Sequence, residues 1–352
     1  MKFRTLNCKR ITKLGFIFIL VFIGHFFYPK IGNTGCPSFE SMIIKKIKMD
    51  DKCFINYVAQ SLVDHPISGL YYSELEGKIE IDPMNSFMNE FTSPWIEALL
   101  ILEMMFPREG ARTFVECGAL DGLTYSTTLH LEYHLGWTGL LIEADPVNYK
   151  NLKQLKRKAI TINACASPNP YPFMAKFSPS HRRQSGSKKS SRKNPEGADK
   201  DYNPGNGKVI VANQTGDRAN LFEVLCLPMY TMLAASNLLN IDLFILDIEG
   251  LELDVLKTLP LEMLNIKVFV VETYNGNHKL ENFKAFFEKS GYTFHGVFTG
   301  GMHPEDAIFV KKNFYNPEKL NATVIDFYKV VTGDWTLSKF NEDTLSLLKH
   351  YS

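Results

Sequence analysis

From Thr113 onward, short runs of consecutive apolar residues alternate with stretches in which apolar positions recur every three or four residues. The first kind reads as strands buried on both faces, the second as helices that cover them. Thr113–Cys117 is strand-like, Ser126–His134 helical, Gly139–Glu143 a strand, Pro146–Lys156 a helix and Ile160–Ala164 a strand. The alternation returns with strand Asp242–Asp247, helix Glu252–Leu259, strand Ile266–Glu272, helix Lys279–Ser290, and strands Tyr292–Phe298 and Ala307–Lys311. The last two have no helical pattern between them, so an antiparallel pair is expected at one end. The pattern predicts an α/β domain with a doubly wound, mostly parallel sheet. Its start is expected at Ser93-Pro94, a good N-cap followed by a good first helical residue, with Trp95, Ile96, Leu99, Leu100 and Leu102 on one helix face. The domain then spans 93–312, after a weakly periodic stem at 29–92 with short helices and before an extension at 313–352. Residues 177–208 break the alternation: rich in Ser, Lys, Gly and Pro and almost free of apolar residues, they read as a disordered basic surface insertion.

One apolar run precedes the stem. Leu14–Tyr28 carries a single strongly polar side chain, His25. As a helix it reaches about 22 Å, or about 27 Å if extended back to Ile11 with Lys13 snorkelling, close to a thin bilayer. Lys2, Arg4, Lys9, Arg10 and Lys13 lie before it and only Lys30 just after it, which orients the N-terminus to the cytosol. A cleaved signal peptide is the competing reading, but no convincing small-x-small site follows the run. The expectation is therefore a 1–13 cytosolic tail, a 14–28 signal anchor and a single-pass type II protein of the endoplasmic reticulum, Golgi or endosome. The domain would be luminal, and the sequons at Asn213 and Asn321 fit a glycoprotein. Cys36 and Cys53 are placed to pair in an oxidising lumen. Cys117, Cys165 and Cys226 fall in strand-like runs and are expected as buried, inert thiols.

Charge sharpens this division. The chain has 39 basic and 38 acidic residues, a formal charge of +1. The cytosolic set and the insertion's Arg182, Arg183, Lys188, Lys189, Arg192 and Lys193 supply eleven of the basic residues; without them 28 face 38 acids, a balance of −10. The luminal body is acidic, and nucleic acid is not an expected partner. No CxxC or Cys/His spacing suggests zinc, and no metal is assigned.

Candidate chemistry gathers at the strand ends. The first strand runs into Glu116-Cys117-Gly118-Ala119-Leu120-Asp121-Gly122, where glycines permit a tight turn and close approach of a ligand to the backbone. The next strand ends in Glu143, a carboxylate placed for ribose hydroxyls. These motifs resemble the FkbM-type branch of class I S-adenosylmethionine-dependent methyltransferases. The resemblance is carried by FVECGALDG at 114–122, LLIEADPVNYKNL at 140–152 and above all LDIEGLELDVLKTL at 246–259. VVETYN at 270–275 and DAIFVKK at 306–312 match in kind and order. With the anchor included, the layout is most similar to the animal, membrane-anchored branch that includes protein Star.

The resemblance implies S-adenosylmethionine as cofactor, with Glu116, Gly118 and Gly122 at its methionine side and Glu143 at its ribose. It implies Asp247, Glu249 and Glu272 as candidates for the catalytic base, or together for a divalent ion held through carboxylate oxygens. His278, His295 and His303 are weaker candidate bases. Leu120 departs from the family pattern, which has Gly or often Asn there. Two functions follow: transport of protein cargo from the endoplasmic reticulum to the Golgi, favoured by the overall layout, or O-methyl transfer to a glycan, lipid or small metabolite.

Overall fold

The computed structural model describes residues 35–69, 71–72, 106, 111–126, 128–179, 207–210, 221–273, 278–298 and 306–314. Its centre is an eight-stranded sheet in the order β1-β4-β3-β2-β9-β10-β12-β11. The strands are β1 (Val63–Asp64), β2 (Thr113–Cys117), β3 (Thr138–Glu143), β4 (Ile160–Asn163), β9 (Asn240–Leu246), β10 (Asn265–Glu272), β11 (Tyr292–Phe298) and β12 (Asp306–Lys311). β4, β3, β2, β9 and β10 run parallel. β12 is antiparallel to both β10 and β11, so the expected terminal pair forms, with the last strand inserted inside the sheet.

The buried strand runs have helices to cover them. Helices α3 (Thr128–Leu135), α4 (Pro146–Leu155), α6 (Glu252–Leu256) and α7 (Leu280–Lys289) connect successive strands. Asp145 starts α4 by accepting from the Val147 amide at 2.8 Å, with Pro146 at the first turn. One cluster packs Phe114, Leu131, Trp137, Leu141, Leu243 and Val268 together. Elsewhere Phe287 of α7 stacks on Phe309 at 4.0 Å and meets Phe269 at 5.0 Å.

Before the sheet, α1 (Phe39–Ile44) and α2 (Lys52–Ser61) form from residues read as stem. Asp51 caps α2, accepting from the Phe54 amide at 3.1 Å. Phe54 and Val58 are fully buried. The Thr231 hydroxyl of α5 (Met229–Ala235) donates to Met49 O at 2.7 Å, fixing the turn between them.

A second sheet, absent from the sequence reading, has the order β5-β8-β6-β7. It comprises β5 (Cys165–Ala166), β6 (Phe173–Ser178), β7 (Lys208–Ile210) and β8 (Phe222–Leu227). β6 and β7 are antiparallel, with Ser178 opposite Lys208, so the two ends of the basic insertion meet in one hairpin. Two of the three expected thiols are corrected here: Cys165 and Cys226 are register partners of β5 and β8 and form a disulfide, Cα–Cα 4.4 Å. Adjacent strands bring paired positions within disulfide reach, a proximity that apolar flanks alone do not reveal. Cys117 is a buried thiol as expected, while Cys36 and Cys53 are each disulfide-bonded. Among the described residues no helix is long and apolar enough to cross a membrane. The anchor at 14–28, the helix at Ser93-Pro94, most of the insertion, both sequons and nearly all of the 313–352 extension lie outside the described residues.

Candidate functional site

The carboxyl ends of β2, β3, β9 and β10 form one edge, and Glu116, Gly118, Gly122, Glu143, Asp247, Glu249 and Glu272 lie on or beside it. β2 and β9 are in register up to Cys117 and Leu246, so Gly118 and Asp247 follow side by side. The Asp247 amide donates to Cys117 O at 3.0 Å. Gly118 has φ +96°, and a Cβ there would collide with the Asp247 carbonyl. Gly122, at φ +75°, would collide with the Leu152 side chain. Gly118 therefore demands glycine for conformation and for space, whereas at Gly122 the left-handed backbone is the main demand, the clash falling on the end of a side chain.

Between them Leu120 adopts a left-handed backbone, φ 48°, that a leucine rarely takes. Its amide donates to Glu143 Oε2 at 2.9 Å, while Glu143 Oε1 accepts from the Asp145 amide at 2.7 Å. Glu143 is 5% exposed. Burial pushes its carboxyl up to about 8, against the lowering effect of those two amides. Asp121 closes the turn by accepting from the Leu123 and Thr124 amides at 3.0 and 2.7 Å.

Glu116 is buried and bonded to the chain that follows this loop. Its Oε2 accepts from Ser126 Oγ at 2.9 Å and from Thr128 Oγ1, and lies 3.9 Å from Arg157 Nη1. Arg157 carries no sequence signal of a site role: it sits in a Lys-Arg-Lys run just after a helix. In the fold its side chain is 1% exposed.

Asp247, Glu249 and Glu272 converge: one carboxylate oxygen from each lies within 4.8 Å of the others. Asp247 follows β9 and Glu272 ends β10, parallel neighbours. Glu249 does not start the next helix. It sits in a left-handed turn, φ 62°, followed by Gly250 at φ 116°, and the helix begins at Glu252. That turn is held from inside by Glu252, which accepts from the Ile248 and Gly250 amides at 2.9 Å each. Glu272 is register partner of Asp306 on β12. Burial first, then the charges of Asp247, Glu252, Glu249 and Asp306, drive the Glu272 carboxyl far above the ordinary carboxylate range. Burial likewise raises Glu252. Such a set keeps at least one carboxyl protonated beside its neighbours, an arrangement suited to taking and returning a proton. Three oxygens at this spacing are also a donor set for a hard divalent ion.

His278 Nε2 lies 3.2 Å from Asp254 Oδ1. His295 lies where the β11–β12 register shifts, and burial lowers its pKa. His303 is outside the described residues. Glu252 and Asp306, which shape the cluster's electrostatics, were missed as site residues because each reads as an ordinary helix or strand start.

The model of the methyltransferase FkbM domain matches residues 116–294, from the acid at the end of β2 to the middle of β11. No curated protein matches the chain. With that match covering half of its length, and with the sheet and glycine turn in place, the chain belongs to the methyltransferase FkbM domain family.

Proposed function

We propose that the chain binds S-adenosylmethionine at the Gly118–Gly122 turn and transfers its methyl group to a hydroxyl or carboxyl of a glycan, lipid or small metabolite. The observation that carries this reading is the convergence of Asp247, Glu249 and Glu272 beside the turn whose glycine packs against Asp247. The donor chemistry fits the cofactor: the glycines let the turn pack closely against β9 and α4 at the sheet edge, and Glu143 offers carboxyl lone pairs to hydroxyls. Bound there, the cofactor supplies an electrophilic methyl group. The chain's own residues orient the acceptor and remove its proton, with an ionised Asp247 or Glu249 as base and Glu272 holding a proton beside it.

Calorimetry of the full chain with S-adenosylhomocysteine tests this. Micromolar binding is expected, weakened at least about tenfold in Glu143→Ala by loss of a buried hydrogen-bonding carboxyl, and retained in Asp247→Asn. Millimolar or absent binding overturns the reading.

A second reading is favoured by Leu120 and Glu143. Both oxygens of Glu143 already accept from backbone amides, and a leucine occupies the turn. In that reading the domain is catalytically silent and binds protein cargo during transport from the endoplasmic reticulum to the Golgi, as in the branch that includes Star. The 14–28 run would anchor it as a type II protein with the domain luminal. The Cys165–Cys226 disulfide supports an oxidising compartment.

A further inference from the structure

A buried charge whose two terminal nitrogens make four hydrogen bonds lies behind the glycine turn. Arg157 Nη1 donates to Gly122 O at 2.9 Å and to Ser126 Oγ at 2.8 Å. Its Nη2 donates to Thr128 Oγ1 at 2.9 Å and to Glu132 Oε2 at 3.2 Å. Ser126 and Thr128 pass their own hydroxyl hydrogens to Glu116, the last acid before the turn. One planar guanidinium thus ties the end of the turn, the start of α3 and the end of β2 into a single unit. Glu132 is also reached by the Tyr72 hydroxyl at 2.5 Å and by the Lys158 amide at 2.6 Å. The Tyr72 amide in turn donates to Lys156 O at 3.1 Å.

We infer that Arg157 is the positioning residue of the ligand-binding turn, setting the course of Gly118–Ser126 from behind, and that Tyr72 steadies it through Glu132. The inference rests on the cofactor-binding reading for its functional consequence, but not for the structural one. Lysine keeps the charge opposite Glu116 and Glu132, yet it is a point donor and cannot span Gly122 O and Thr128 Oγ1 at once. Arg157→Lys therefore separates ion pairing from positioning. Tyr72→Phe removes one hydroxyl at the far end and leaves the guanidinium's own bonds intact.

The test uses the full chain and two readouts: affinity for S-adenosylhomocysteine, and hydrogen exchange of the amides at 119–124 against those of β10 at 266–271. In Arg157→Lys, affinity is expected to fall at least about tenfold, and exchange at 119–124 to quicken by a similar factor while β10 keeps its protection. Tyr72→Phe is expected to move both readouts the same way by about two- to fivefold. Unchanged protection at 119–124, or equal loss there and in β10, overturns the inference by making Arg157 inert or merely structural. Wild-type chain that fails to bind the probe overturns the cofactor reading instead, and the exchange comparison still decides the positioning role. Should Arg157→Lys not fold, Tyr72→Phe and Ser126→Ala decide by the same criterion.

Discussion

Glu143 couples the binding edge to pH. Its carboxyl rises from the ordinary 4.5 to about 8 on folding, so the native state favours the protonated form. The stability this contributes is complete below pH 4.5 and is lost as pH rises towards 8. Glu143→Gln removes that slope while Glu252 and Glu272 keep theirs. The difference in urea midpoint between variant and wild type is therefore expected to shift in the variant's favour from about pH 5 to 8 and then level off. A difference that stays constant over that range excludes burial as the controlling force. At this scale the sequence was legible where chemistry leaves a trace. Glu116, Gly118, Gly122, Glu143, Asp247, Glu249 and Glu272 all lie at the expected edge. Leu120 stood out as bulky, but its left-handed backbone did not, because leucine carries no preference for it. Arg157 was invisible because a basic residue in a basic run becomes a buried hub only after the chain has closed over it.

Among elements, the central strands were legible because parallel strands covered on both faces become near-continuous apolar runs; in β9 every residue from Ile241 to Leu246 is buried. The second sheet was not, since β5 and β7 are two and three residues long and β6 runs directly into a polar insertion. The same brevity hid the Cys165–Cys226 pairing. That disulfide spans 61 residues of sequence. In the chain-entropy account, closing a loop of this size stabilises by about 4 kcal/mol. Cys165→Ala/Cys226→Ala is expected to lose about that much in urea denaturation. A loss below about 1 kcal/mol would place the stability of the second sheet in its packing instead. Its core includes Leu251 and touches Ile248, neighbours of Glu249, so loosening there reaches the acidic turn.

For the molecule as a whole, the near-neutral charge is a sum of opposed regions: basic runs at the N-terminus and in the insertion, and carboxylates gathered at the sheet's carboxyl edge. The luminal placement proposed for the domain makes a direct prediction. Chain expressed in animal cells should shift in mobility on deglycosylation, and lose the shift in two steps through Asn213→Gln and Asn321→Gln; no shift in the wild type would overturn that topology. The hairpin of β6 and β7 has another consequence. Because Ser178 and Lys208 face each other, the insertion leaves and rejoins the fold at a single point. Doubling the length of a loop adds only about 0.6 kcal/mol to its closure. This junction is a port: segments of very different length, an affinity handle or an entire fluorescent domain, can be exchanged there while the strands on either side stay in register.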